Sequence, residues 1–410
     1  MTSREEKMPH FVVVGAGQAG ASLCAKLRAL GFDGEITLIG DETVPPYQRP
    51  PLSKKYLLGE MELERLYLRP AQFYEDQNIG LRLGSEVTGI HAQARQITVE
   101  GDILSYDQLA FTTGSTPRRL PDAIGGALPG VFVVRDLQDV DAMAPAFAPG
   151  KHVLVVGGGY IGLEAAAVAA SKGLTVTVLE AAPRILQRVA CAETSDYFRA
   201  LHAVHGVTIR EGMGLERLTG TDHVTGAVLA DGTTLAVDFV IAGIGIVPND
   251  GLARAAGIET DMGITVDAQG RSSDPNVWAA GDCARFPYRG EIIRLESVQN
   301  AIDQAECVAE NMLGAGKDYG PKPWFWSDQY DVKLQIAGLN MGYSDVVLRP
   351  GATEGSQSVW YYREKTLLAV DAMNDPRNYM IGKRLIEAGR SPAADLIADP
   401  ATDMKGLLTA

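Results

Sequence analysis

The chain has 410 residues, 46% of them hydrophobic, and its 37 basic and 51 acidic side chains give a formal charge of −14. At about 100–200 residues per domain the length predicts two to four domains, and the acidic balance argues against nucleic acid or an anionic membrane as the main partner, because long-range repulsion opposes each encounter. No apolar run reaches the roughly 18–20 residues that a membrane span needs, the opening MTSREEKMPH lacks the apolar core of a signal peptide, and Cys24, Cys191, Cys283 and Cys307 are too scattered for a disulfide framework or a metal knuckle. A reducing cytoplasm is the compartment these features predict.

Along the chain, one pattern occurs twice: HFVVVGAGQAGASLCAKL from His10 and HVLVVGGGYIGLEAAAVAA from His152. Each copy reads as strand, glycine turn and helix. Phe11 to Val14 and Val153 to Val156 are β-branched runs suited to buried parallel strands, alanine-rich segments after the glycines favour helix, and Glu35 to Ile39 and Thr175 to Leu179 supply the second strands. Proline and glycine mark linkers near 45–51, 115–130 and 316–323. Gln96 to Val99 and Val224 to Leu229 predict antiparallel strands added to each unit. From about Pro321 aromatic residues crowd together, and SVWYYREKTLLAV predicts a hairpin turning at Glu364 and Lys365. The expected fold is α/β, with two Rossmann-like dinucleotide-binding domains and a C-terminal α+β interface domain.

Gly15, Gly17 and Gly20 form G-x-G-x-x-G after a strand, and Gly157, Gly159 and Gly162 repeat it. The first glycine permits the tight turn, the second lets a pyrophosphate approach the backbone, and the third allows close helix packing. About 20 residues after its last glycine each unit places an acid, Asp41 or Glu180, where a carboxylate accepts from ribose hydroxyls and repels a 2′-phosphate. Two fingerprints imply two dinucleotides, and the usual pair that exchanges a hydride is a nicotinamide and a flavin.

With these motifs the chain resembles the FAD-dependent NADH:ferredoxin reductases of bacterial oxygenase systems, within the two-dinucleotide-binding flavoprotein superfamily. The resemblance spans nearly the whole chain and rests on GAGQAG, RPPLSK (Arg49 to Lys54), Thr112 to Gly114, GGGYIGLE, IAGIGIVPN (Ile241 to Asn249), AAGDCARF (Ala279 to Phe286), ESVQNA (Glu296 to Ala301) and PWFWSDQY (Pro323 to Tyr330). It implies FAD at the first fingerprint and NADH at the second. Because the second fingerprint falls between RPPLSK and AAGDCARF, the FAD domain is expected to be interrupted: residues 1–115 and 246–320 for FAD, 116–245 for NAD and 321–410 for the interface domain.

The resemblance also implies residue roles. Asp41 holds the adenosine ribose, Ala19 lines the pyrophosphate turn, and Thr113 and Gly114 belong to the FAD site. Arg49 and Lys54 lie near the flavin, and Lys54 pairs with Glu164, steadying the extra negative charge of reduced flavin. Val87 and Arg135 contact FAD, Asp282 binds the ribityl hydroxyls, and Val298 presents a helix start to the pyrimidine edge, a position equally compatible with a core helix. In the second unit Glu180 favours NADH over NADPH, with Arg184 nearby as a counterweight; Tyr160 and Ile161 pack where the nicotinamide enters, and Gly243 permits its close approach.

Disulfide reductases of the superfamily carry a cysteine pair near the end of the first unit, whereas residues 42–60 here contain none. Cys24 reads as core and Cys283 as a lone thiol, so electrons are expected to leave the flavin directly for a one-electron carrier, a 2Fe-2S ferredoxin. Trp326 is the candidate aromatic on that exit, with an ordinary core aromatic as the alternative. Since such a ferredoxin is itself usually acidic, docking is expected to use local cations, among them Arg294, Lys333, Lys365, Arg377, Lys383 and Arg384. Rival readings are a rubredoxin reductase, a monodehydroascorbate-type reductase, an NADH oxidase, and a non-enzymatic redox sensor resembling apoptosis-inducing factor.

Overall fold

The computed structural model describes residues 8–409; most of the charged opening segment read above lies outside them. The chain divides into two compact units. The first takes the chain up to Arg49 together with Glu62–Thr116 and Ile246–Pro321, and the second takes Pro50–Met61, Pro117–Gly245 and everything from Lys322.

In the first unit the valine run His10–Val14 is buried along its whole length and forms the centre of a five-stranded parallel sheet. Glu35–Ile39 and then Ile79–Arg82 lie on one side, Gln108–Phe111 and then Val277–Ala279 on the other. Only a strand apolar on both faces tolerates that position. The helix Gln18–Ala29 turns Leu23, Cys24 and Leu27 onto Ala305, Val308, Ala309 and Met312 of the helix Val298–Met312. These side chains recur at i, i+3 and i+4, so each helix buries one stripe, and each fully buried Leu or Val contributes about 1.5–3 kcal/mol. At the rim of this contact Lys26 pairs with Glu310 at 3.0 Å.

The second unit repeats the arrangement. Its central strand His152–Val156 is flanked by Thr175–Glu180 and Thr208–Glu211 on one side and by Phe239–Ala242 and Val131–Phe132 on the other, all parallel. Each unit also carries a three-stranded antiparallel meander, Val87–His91 with Gln96–Val99 and Asp102–Ser105, and Leu215–Gly220 with Val224–Leu229 and Thr234–Ala236. The duplication seen in the sequence is therefore a duplication of topology. One edge breaks it: Val277–Ala279 comes from late in the chain, whereas its counterpart Val131–Phe132 precedes the central strand.

The segment from Trp324 forms a five-stranded antiparallel sheet in the order Trp324–Gln329, Val332–Gly338, Thr366–Met373, Gln357–Arg363 and Asp345–Pro350. The expected hairpin is present, with Glu364 at φ 56° in its turn. Asp375 caps and Pro376 opens the helix Pro376–Glu387, which covers one sheet face through Tyr379, Ile381, Leu385 and Ile386. Among the described residues no helix is long and apolar enough to cross a membrane.

Candidate functional site

Both glycine turns have the same construction. Gly15 sits at φ +114°, and a Cβ there would stand 2.3 Å from the Thr112 carbonyl; Gly157 sits at φ +109°, with the Gly243 carbonyl at 2.3 Å. No L side chain fits either place. A Cβ on Gly20 or Gly162 would meet the carbonyl of its own first glycine at 2.1 Å, so the third glycine seats the helix on the turn. The middle glycines differ in kind, since nothing lies within 4 Å of a Cβ on Gly17 or Gly159. The helices that follow, Gln18–Ala29 and Tyr160–Ser171, have no side-chain cap. Uncapped N–H groups facing open space fit a pyrophosphate, which needs backbone donors and close approach.

In the first unit Asp41 is exposed just past the second strand, and Val87 is buried at the start of its meander. Thr113 Oγ1 donates to the Asn249 carbonyl at 2.7 Å, Asn249 Nδ2 donates to the Thr113 carbonyl at 2.8 Å, and the Gly114 carbonyl accepts from the Asn249 N–H at 2.9 Å. Asp282 accepts from Ser115 Oγ at 3.0 Å, and a Cβ on its neighbour Gly281 would lie 3.2 Å from Ala19. Ser297 caps the helix that Val298 opens. Arg49 pairs with Glu42 and lies over the ring of Tyr47.

In the second unit both Glu180 oxygens accept from backbone, from Gly158 N–H and Ala182 N–H at 2.7 Å each, which fixes the carboxylate beside the glycine turn. Arg184 does not oppose it. Its guanidinium turns back to the Cys191 carbonyl at 3.0 Å, the Ala190 carbonyl at 2.7 Å and Ser195 Oγ at 2.6 Å. Tyr160 leans on Phe325 at 5.0 Å between ring centroids, Ile161 is 45% exposed, and a Cβ on Gly243 would lie 3.4 Å from Gly162 Cα. Arg135 is half-buried and directly precedes Asp136, the N-cap of the helix Leu137–Met143.

The same unit joins Lys54 to Glu164. The helical turn Leu52–Tyr56 breaks at Lys54, whose Nζ lies 3.1 Å from Glu164 Oε1 and 3.4 Å from Asp328 Oδ2. Glu164 also accepts from Ser327 Oγ at 2.7 Å and Ser53 Oγ at 3.2 Å. Burial pushes its carboxyl above the ordinary range, and Lys54 and the two hydroxyls pull it back. On the same strand Trp324 and Trp326 stack at 5.4 Å between ring centroids. Of the proposed docking cations, Arg294 pairs with Glu296 and Lys383 with Glu387, whereas Lys333, Lys365, Arg377 and Arg384 are exposed.

Comparison with known proteins agrees with this geometry. The family described as pyridine nucleotide-disulphide oxidoreductase matches residues 9–305. The chain belongs to that family. A second family, reductase C-terminal, matches residues 324–408 of this oxidoreductase. The rhodocoxin reductase of Rhodococcus erythropolis is 40% identical, covering 96% of this chain and 93% of its own. The putidaredoxin reductase of Pseudomonas putida is 40% identical over 98% and 97%. A crystal structure of a covalent putidaredoxin reductase–putidaredoxin complex superposes with a TM-score of 0.94 at 38% identity, covering 98% of each chain.

Although the family name mentions a disulphide, the four thiols of this oxidoreductase are free and buried. Burial raises all four, Cys24 to about 12, so none is a thiolate nucleophile near neutral pH. Cys191 belongs instead to a buried cluster in which Asp371, 1% exposed, accepts from Thr194 Oγ1 at 2.9 Å and from the Tyr361 hydroxyl. Burial lifts the Asp371 carboxyl from 3.8 to about 6. A carboxyl whose folded pKa lies above its unfolded value binds protons more tightly in the native state, so its contribution to stability is greatest below about pH 4 and declines as pH rises through 6. Asp371→Asn should therefore flatten the fall in stability between pH 4 and 7 by up to roughly 3 kcal/mol, as read from denaturant midpoints across that range.

The sequence reading missed Ser53, Ser327, Asp328 and Asn249 as members of these clusters. All four lie inside motifs singled out above, Ser53 in RPPLSK, Ser327 and Asp328 in PWFWSDQY and Asn249 in IAGIGIVPN, and the motifs themselves were the available signal.

Proposed function

We propose that the chain is an FAD-dependent NADH:ferredoxin reductase that delivers electrons to a 2Fe-2S ferredoxin serving an oxygenase. The observation that carries the reading is the combination of two open glycine cradles with four buried, unpaired thiols: two dinucleotides are accommodated, and no dithiol is available to take electrons between them and an acceptor. Residues 1–115 and 246–320 would form the FAD domain, 116–245 the NAD domain and 321–410 the partner-facing domain, in a cytoplasmic protein.

When bound, FAD takes a hydride from NADH and releases electrons singly. The chain's own residues bind and orient. Gly15, Gly17, Ala19 and Gly20 would cradle the FAD pyrophosphate, Asp41 its ribose and Asp282 its ribityl chain, with Thr113, Gly114, Val87, Arg49 and Arg135 completing the grip. The helix opened by Val298 and the ammonium of Lys54, held by Glu164, would favour negative charge on the flavin. Gly157, Gly159 and Gly162 would hold NADH, Tyr160, Ile161 and Gly243 would shape its nicotinamide end, and Glu180 would turn away a 2′-phosphate. Trp326 would face the outgoing electron. An acidic chain meeting an acidic ferredoxin would rely on exposed cations such as Lys333, Lys365, Arg377 and Arg384.

The test is anaerobic reduction of the bound flavin followed by carrier-dependent turnover. NADH should reduce it much faster than NADPH, and cytochrome c reduction should require an added 2Fe-2S ferredoxin. Equal rates with the two nucleotides would remove Glu180 from its role. Turnover without a carrier, or with rubredoxin alone, would replace the partner assignment.

A further inference from the structure

We propose that Asp328 is a second anionic partner of Lys54 whose charge lowers the reduction potential of the bound flavin. The inference rests on the reading of Lys54 as the flavin's cationic neighbour.

Two consecutive residues of the strand Trp324–Gln329 address the two halves of one ion pair. Ser327, fully buried, donates to Glu164, and the next residue, Asp328, accepts from Lys54. Glu164 is braced from within: Ser327 Oγ accepts from Gln329 Nε2 at 3.2 Å, and Gln329 Oε1 meets His202 Nε2 at 2.8 Å. Burial holds His202 near 4, so it stays neutral at working pH and keeps this bracing fixed. The pair is therefore complete without Asp328.

Asp328 has a candidate partner closer in sequence than Lys54. Lys333 is its cross-strand register partner, the usual place for an opposite charge. The carboxylate turns instead to Lys54, 274 residues away in sequence, and makes no ion pair with Lys333. The cluster thus holds one ammonium and two carboxylates, with side-chain exposures of 15% for Lys54, 8% for Glu164 and 42% for Asp328. An anion 3.4 Å from Nζ cancels part of the field that the ammonium projects. Because Asp328 is half in water the cancellation is partial, and solvent or a docked partner covering it would change its extent.

The experiment measures the potential of the flavin in the intact holoenzyme by equilibration with a reference dye. Asp328→Asn should raise the potential, Asp328→Glu should restore the parent value, and Lys54→Met should lower it. A role confined to packing would leave all three potentials unchanged while altering only the melting temperature. If Lys54→Met lowers the potential and Asp328→Asn leaves or lowers it, the inference about Asp328 is overturned while the reading of Lys54 stands. If Lys54→Met leaves the potential unchanged, the reading of Lys54 falls and the inference about Asp328 falls with it.

Discussion

Gly15→Ala should purify without flavin, whereas Gly157→Ala should purify yellow and lose its response to NADH. The two substitutions add the same atom to the same geometry, each at positive φ and each 2.3 Å from a backbone carbonyl. Neither carbonyl can withdraw, because Thr112 follows the strand Gln108–Phe111 and Gly243 follows Phe239–Ala242, both next to the central strand of their sheet. Strain of about 3 kcal/mol at the turn corresponds to roughly a hundredfold loss of affinity for the ligand it cradles. Flavin absorbance per chain reads the first effect. The second is read by comparing NADH with dithionite, which needs no nucleotide site and should still bleach Gly157→Ala. Gly17→Ala and Gly159→Ala serve as controls, since their Cβ atoms meet no protein atom within 4 Å; both should fold normally and weaken only the ligand. Loss of flavin from Gly157→Ala and its retention in Gly15→Ala would exchange the two cofactor assignments.

Removing either half of the Lys54–Glu164 pair should cost about 3–5 kcal/mol, and removing both together should cost less than the two losses combined. Glu164→Leu should fall at the lower end, because Lys54 retains Asp328 as a partner exposed enough to share its charge with water. Lys54→Met is the harsher change. Glu164 is 7% exposed, its carboxyl is already raised by burial, and Lys54 is the largest influence pulling it back. Without the ammonium the native state would hold the proton to still higher pH while the unfolded carboxyl ionises near 4.5. The native state of this variant then binds more protons than the unfolded state, so its stability declines with rising pH. The deficit relative to the parent should be larger at pH 8 than at pH 5, as measured by guanidinium unfolding of flavin-loaded protein. A deficit independent of pH would place its origin in packing.

The parts of this molecule legible in its sequence are those in which neighbouring residues carry the message. Glycine spacing, runs of valine and the acid after each second strand report local backbone and burial, and the first two strands of each parallel sheet follow from them. Contacts made across the chain left no such trace. Ser53 and Glu164 are 111 residues apart and Lys54 and Asp328 are 274 apart, and no periodicity states which distant side chains will meet. The Lys54–Glu164 pair itself was accessible only through resemblance. Arg184 shows the converse error: proximity in sequence to Glu180 suggested an electrostatic counterweight, yet the guanidinium is spent on two carbonyls of its own loop and on Ser195 in the helix that follows. The unequal sheet edges were equally hidden, because a two-residue strand such as Val131–Phe132 is too short to have a pattern.

That inequality of edges has a consequence for biosynthesis. The second parallel sheet draws all its strands from 131–242, a single uninterrupted stretch, whereas the first waits for Val277–Ala279 and for the helix Val298–Met312 that packs on Gln18–Ala29. As the ribosome releases the chain, the nucleotide fold that begins second is the one whose strands are all available first. In the fold that begins first four strands are complete by Phe111, but the outer edge of Gln108–Phe111 waits for Val277–Ala279 and the apolar stripe of Gln18–Ala29 for the helix ending at Met312. Until then that strand edge and that helix stripe are apolar surfaces the nascent chain leaves uncovered.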